Sequence, residues 1–198
     1  MVKVFEEYLK EAWRLKTLYK DQINLLVGLE TEYIESGSLV GLRQLLDKHQ
    51  EKIQYIVGSL HHVKEIPIDY SKELFDECLE SFAPLPPDLI SASSSDRLTS
   101  TKKQHALFTS LFTSYFNSQL TLFETFHPEV IGHFDLCRLY YPLIDFRDYP
   151  DVWKLIKRNI AYVVGYGGIF EVNAASFRKG WKSGYPGSEV FEVSFLQS

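Results

Sequence analysis

Residues 24–33, NLLVGLETEY, decide the fold. The run opens apolar, is too short for a helix of its own and closes on acidic and aromatic residues, as a buried strand does when it delivers polar side chains at its carboxyl end. The pattern returns three times, as IQYIVGSLHHV at 53–63, EVIGHFDL at 129–136 and GIFEVNAAS at 168–176. Between these runs the period changes to that of amphipathic helices. Phe5, Tyr8, Ala12, Leu15 and Tyr19 recur at steps of three and four. Leu42, Leu45 and Leu46 line one face of 38–50 behind Ser38 as a cap, and Asp69 or Ser71 caps 72–82. From 97 to 126, Phe108, Phe112, Phe116, Leu120 and Phe123 form a helical row that reads as core, and 151–166 is a further helix behind Pro150. Alternating helices and apolar strands predict an α/β chain built on a parallel sheet or barrel.

The composition supports one domain with a real core: of 198 residues, 45% are hydrophobic and 15% aromatic, which excludes bulk disorder. The formal charge of −5, with no Lys/Arg block, argues against nucleic-acid partners. No apolar stretch approaches the roughly 20 residues of a bilayer span, and Lys3, Glu6 and Glu7 stand where a signal peptide needs apolar residues, so a cytoplasmic protein without membrane contact is expected. Cys78 and Cys137 have no C-x-x-C spacing and read as buried small hydrophobes in a reducing compartment. Pro84, Pro86, Pro87 and the serines at 91–95 mark 84–96 as an exposed insertion loop rather than a domain boundary.

Each apolar run ends in groups suited to metal or phosphate chemistry: Glu30 with Glu32, His61 then His62, His133 with Asp135, and Glu171 with Asn173. Residues two apart on a strand face the same way, and in a parallel barrel the catalytic groups come from the carboxyl ends of several strands. Imidazole and carboxylate together suit divalent zinc, manganese or iron, which points to metal-assisted hydrolysis. Singly, each of these residues reads as an ordinary hydrogen-bonded side chain; their recurrence at strand ends carries the inference. Adjacent His61 and His62 should face opposite ways, so at most one enters a shared site. His49 and His105 on helices, and His127 before a proline, read as surface or packing residues.

Four motifs, in order, carry a family resemblance: GLE at 28–30, GSLHHVKEIPID at 58–69, IGHFDLCR at 131–138 and FEVNAASFRKG at 170–180. Together they resemble the internal motifs of histidinol-phosphate phosphatases of the polymerase and histidinol phosphatase (PHP) superfamily, most closely the fungal enzymes. The resemblance implies a distorted (β/α)7 barrel of the TIM type, up to three divalent ions, and hydrolysis of L-histidinol phosphate to L-histidinol and phosphate in histidine biosynthesis. Its substrate would be a small phosphate ester, held and attacked by hydroxide at the metal cluster. Matched motif to motif, Glu30 resembles the bridging carboxylate ligand, and His61 and His133 the imidazole ligands. Asp135 resembles a site carboxylate or the partner of a ligand histidine, while Arg178 and Asn173 would meet the substrate phosphate.

The departures are equally specific. The H-x-H motif that opens the family barrel and the S-D-x-H-like motif that closes it are both missing. The expectation is therefore a single partial PHP domain over 1–198, incomplete for want of its first and last strands, with two open sheet edges and a divergent tail at 188–198. A gene-model fragment, a splice variant or a split gene would produce that pattern, with weak or no activity in the chain alone. Two alternatives accompany this reading: a noncatalytic PHP remnant or interaction subunit, and a PHP phosphoesterase acting on another small phosphomonoester. Oligomeric state is left open by the sequence.

Overall fold

The runs at 24–33 and 53–63 condense to β1 (Gly28–Glu32) and β2 (Tyr55–Ser59), which pair in parallel with Glu30 opposite Val57 and Glu32 opposite Ser59. The computed structural model describes residues 2–84 and 97–197. The insertion predicted at 84–96 lies outside the described residues apart from Pro84. Beyond β2, which ends at Ser59, the chain forms a short antiparallel hairpin, β3 (His62–Val63) with β4 (Ile66–Pro67), turned by Lys64 and Glu65 at positive φ. β5 (Val130–Ile131) and β6 (Ile169–Phe170) complete a four-stranded parallel sheet in the order β1-β2-β5-β6.

The helices are α1 (Val2–Leu18), α2 (Ser36–His49), α3 (Lys72–Glu80), α4 (Arg97–Phe126), α5 (Pro150–Tyr166), α6 (Ala175–Arg178) and α7 (Ser188–Gln197). Local chemistry sets several of their ends. Ser71 caps α3 by accepting from the Leu74 amide at 3.2 Å. Pro150 opens α5, where its missing N–H costs nothing, and Gly167 closes it at φ 83°. At α2 the cap residue is Glu35 and not Ser38; Ser38 sits one turn inside, and its hydroxyl accepts from the Ile34 and Glu35 amides at 3.2 and 3.4 Å.

The long helix α4 supplies the core. Phe108, Phe112, Phe116 and Phe123 are buried, with Leu111, Tyr115 and Leu122 beside them, against Phe75 of α3 and Val152, Ile156, Ile160 and Val163 of α5. Full burial of such side chains contributes about 1.5–3 kcal/mol each before conformational entropy is subtracted. Both thiols are buried, as expected from the sequence. α1 is tied to the β1 side of the sheet: Tyr8 Oη donates to the Gly28 carbonyl, Trp13 Nε1 donates to Lys52 O at 2.9 Å, and Glu6 pairs with Lys48 at 2.7 Å. No described helix is long and apolar enough to cross a membrane.

The apolar runs overstate the strands in each case. Ladder pairing stops at Ser59, Ile131 and Phe170, although apolar residues continue beyond. Residues after Ile131 turn at His133, whose φ is +22°, and Ala175–Arg178, partly read as strand, is a helical turn. Segment 188–198, read as a tail, contains α7, which packs on α5.

Candidate metal centre

The carboxyl ends of β1, β2 and β5 lie side by side, and one side chain from each region converges. Glu30 stands on β1, His61 two residues past β2 and His133 two residues past β5. His61 Nε2 lies 3.0 Å from His133 Nε2. Glu30 Oε1 is 3.4 Å from the same His133 atom and 3.7 Å from the same His61 atom. A point equidistant from three atoms so separated lies about 2 Å from each, the distance at which zinc and similar ions bind imidazole and carboxylate. Among the described residues, these three form the group of histidine and carboxylate atoms close enough to share an ion. The donor set therefore fits a divalent transition metal.

The electrostatics favour the same role. Hydrogen bonding to His133 is the main cause that takes the Glu30 carboxyl down to about 2; Ser59 and the imidazole charges assist, and partial burial opposes them. Burial works to lower the His61 pKa, but Glu32, Asp69 and Glu30 outweigh it and the net shift is upward. A carboxylate held ionised beside an imidazole whose protonated form is favoured, so that a cation entering the trio must displace a proton from His61, suits such a centre.

The backbone that presents His133 is braced. Glu171 Oε2 accepts from the His133 amide at 2.9 Å and from Asn173 Nδ2 at 3.1 Å, while Asn173 Oδ1 accepts from the Ala175 amide at 2.8 Å. Asn173, matched by its motif to substrate binding, thus spends its side chain on local hydrogen bonds. Arg178 is exposed at the end of α6 and makes no recorded contact with the trio.

Asp135 takes a different place from the trio. It is fully buried, with Oδ2 accepting from Arg138 Nη2 at 2.7 Å, Arg138 Nε at 3.1 Å and the Gly187 amide at 2.8 Å. Burial pushes its pKa up against the pull of Arg138 and Gly187. The Arg138 guanidinium also pairs with Glu189 on α7, donates to Ile144 O at 2.7 Å and lies over the rings of Phe146 and Trp181. Gly187 is required by close approach, because a Cβ there would collide with the guanidinium.

Two residues that the sequence reading places at strand ends without giving either a role border the centre. Glu32 meets both His61 and His62, and Glu171 holds the His133 turn. Of the adjacent histidines only His61 joins the trio, while β2 has ended at Ser59 and both rings reach the Glu32 carboxylate. His49, His105 and His127 do pack locally, against Glu6, Tyr149 and Tyr162. A D-x-H spacing does occur at Asp47 to His49, but within α2 and not at the carboxyl end of a strand.

Comparison with known proteins agrees with this geometry. Over its full length the chain is 43% identical to a probable histidinol-phosphatase of Schizosaccharomyces pombe, in an alignment that includes 188–198 and covers 58% of that protein. It is 26% identical over 92% of its length to a histidinol-phosphatase of Saccharomyces cerevisiae, covering 56% of that protein. The chain thus spans somewhat over half the length of these curated relatives. Residues 2–175 match the PHP domain model, and with an α/β fold, a parallel sheet and a histidine–carboxylate trio at its carboxyl edge, the chain belongs to the PHP-domain family.

Proposed function

We propose that this chain carries the metal-binding core of a phosphomonoesterase that converts L-histidinol phosphate to L-histidinol and phosphate in histidine biosynthesis. The observation that carries the reading is the convergence of Glu30 Oε1, His61 Nε2 and His133 Nε2 on one point. The names of the two fungal relatives supply the substrate. The parallel sheet is read as part of a distorted (β/α)7 barrel, one domain over 1–198, acting in the cytoplasm, where two buried free thiols are at home.

Glu30 and the two histidines would hold the cation, zinc, manganese or iron, in a cluster of up to three. A bound divalent ion supplies charge for the phosphoryl oxygens and lowers the pKa of water. The chain's own residues do the rest: Glu171 fixes the His133 turn, Asp135 acts through that turn by gripping Arg138, and Arg178 is the cation available to a phosphate. Purified chain supplied with Mn²⁺ or Zn²⁺ should release phosphate from L-histidinol phosphate, and Glu30→Gln and His61→Ala should abolish release. No turnover with any of the three metals overturns the assignment for this chain.

A second reading rests on the ligand count. The trio offers three protein atoms and Asp135 is committed to Arg138, which suits a noncatalytic interaction subunit with a single weak ion. Metal analysis separates the two, since more than one tightly held ion per chain contradicts the noncatalytic reading.

A further inference from the structure

His61 is the only member of the trio whose far ring nitrogen faces a carboxylate among the described residues. Its Nδ1 lies 3.5 Å from Glu32 Oε1, whereas Nδ1 of His133 is buried without a recorded partner. The same Oε1 receives His62 Nδ1 in a short contact. Glu32 sits two residues beyond Glu30 on β1, so alternation keeps both carboxylates on one face of the sheet, on either side of the His61 ring.

A neutral imidazole carries one ring proton, and the nitrogen without it is the metal ligand. In water the Nε2–H form predominates, which would block the Nε2 atom that points at Glu30 and His133. We infer that Glu32 is a positioning residue: it accepts the Nδ1 proton of His61 and so fixes the tautomer that leaves Nε2 free for the cation. Carboxylates in this relation to ligand histidines orient the ring and raise its basicity, and their loss weakens metal binding by about 10- to 100-fold. The inference rests on the trio being a metal site, as proposed above.

The test uses the full chain and Co²⁺ alone, with affinity followed by the visible absorption of the bound ion. Wild type should bind, Glu32→Leu should bind about 10- to 100-fold more weakly, and Glu32→Gln, whose amide oxygen still accepts from Nδ1–H, should recover affinity to within a few-fold. A second readout needs no metal. Long-range ¹H–¹⁵N correlation above the imidazole titration should show His61 as the Nδ1–H tautomer in wild type and Glu32→Gln, and as Nε2–H in Glu32→Leu. Unchanged Co²⁺ affinity in Glu32→Leu, equal losses in the Gln and Leu variants, or an Nε2–H tautomer in wild type each overturns the role of Glu32. Absence of Co²⁺ binding by the wild type overturns the metal-site reading itself. If Glu32→Leu fails to fold, Glu32→Val and the wild-type tautomer decide the question by the same criteria.

Discussion

His61 and His133, separated by 72 positions in the chain, place their Nε2 atoms 3.0 Å apart. Two neutral rings can share one Nε2 proton in a hydrogen bond at that distance, whereas two charged ones repel; the sheet register and Glu30 hold the pair together. That relation would make binding of a metal there proton-linked. The His61 pKa lies above 6.5, so protons compete with the cation and affinity should rise with pH through and above that value. Glu30, held at about 2, is ionised throughout and adds no slope. Without metal the signs reverse for His61: its stabilisation is complete below 6.5 and lost as pH rises through the folded value, while that of Glu30 is complete above 4.5 and lost as pH falls through about 2. Cobalt titrations and thermal midpoints in chelator across pH check both; an affinity independent of pH contradicts the linkage.

Arg138 and Asp135 form a pair with side chains 3% and 0% exposed. Arg138→Met leaves Asp135 buried without its cation, which should cost about 3–5 kcal/mol in urea unfolding. A loss below 1 kcal/mol would mean that the pair is not buried in solution.

Gly132 precedes His133, and a Cβ there would stand 2.5 Å from Ser59 Oγ and 3.1 Å from Val57 Cγ1 on β2. Gly132→Ala should force β5 away from β2, lowering stability by about 1–3 kcal/mol and weakening Co²⁺ binding more than a distant change of equal stability cost. Equal affinity in the variant would show that the His133 turn tolerates the shift.

The thiol of Cys78 is pushed up to about 11 by burial and donates to Val63 O at 3.4 Å, and burial raises Cys137 as well. Neither should react with a thiol reagent in the native protein at neutral pH, and both should react on unfolding. Prompt labelling of either in native buffer would place it at the surface.

Helices and the clustering of Glu30, His61 and His133 were legible in the sequence for different reasons. α3 and α5 announce themselves through Ser71 and Pro150, and α4 through a phenylalanine row, all local signals. Glu30, His61 and His133 were legible because each follows an apolar run and sits in a recognisable motif. Strand length was not: Leu60 and Phe134 are buried by turns as fully as by a sheet, so hydrophobicity alone carried the strands too far. Glu32 was legible as a strand-end carboxylate on the face of Glu30, but its contacts with His61 and His62 were not, because they depend on β2 ending at Ser59. The burial of Arg138 was equally hidden, because its partners Asp135, Gly187 and Glu189 are separated by up to 54 positions and meet through tertiary packing.

The Arg138 cluster also couples the last helix to the turn that carries His133. Asp135 and Glu189 grip one guanidinium from two sides, and the Gly187 amide joins them. Excising everything after Gly187 would leave that cation with half its counter-charge. Proteolytic nicking behind Gly187 should then loosen the turn from His133 to Arg138, so that damage at the distal end of the chain is felt where an ion would be held.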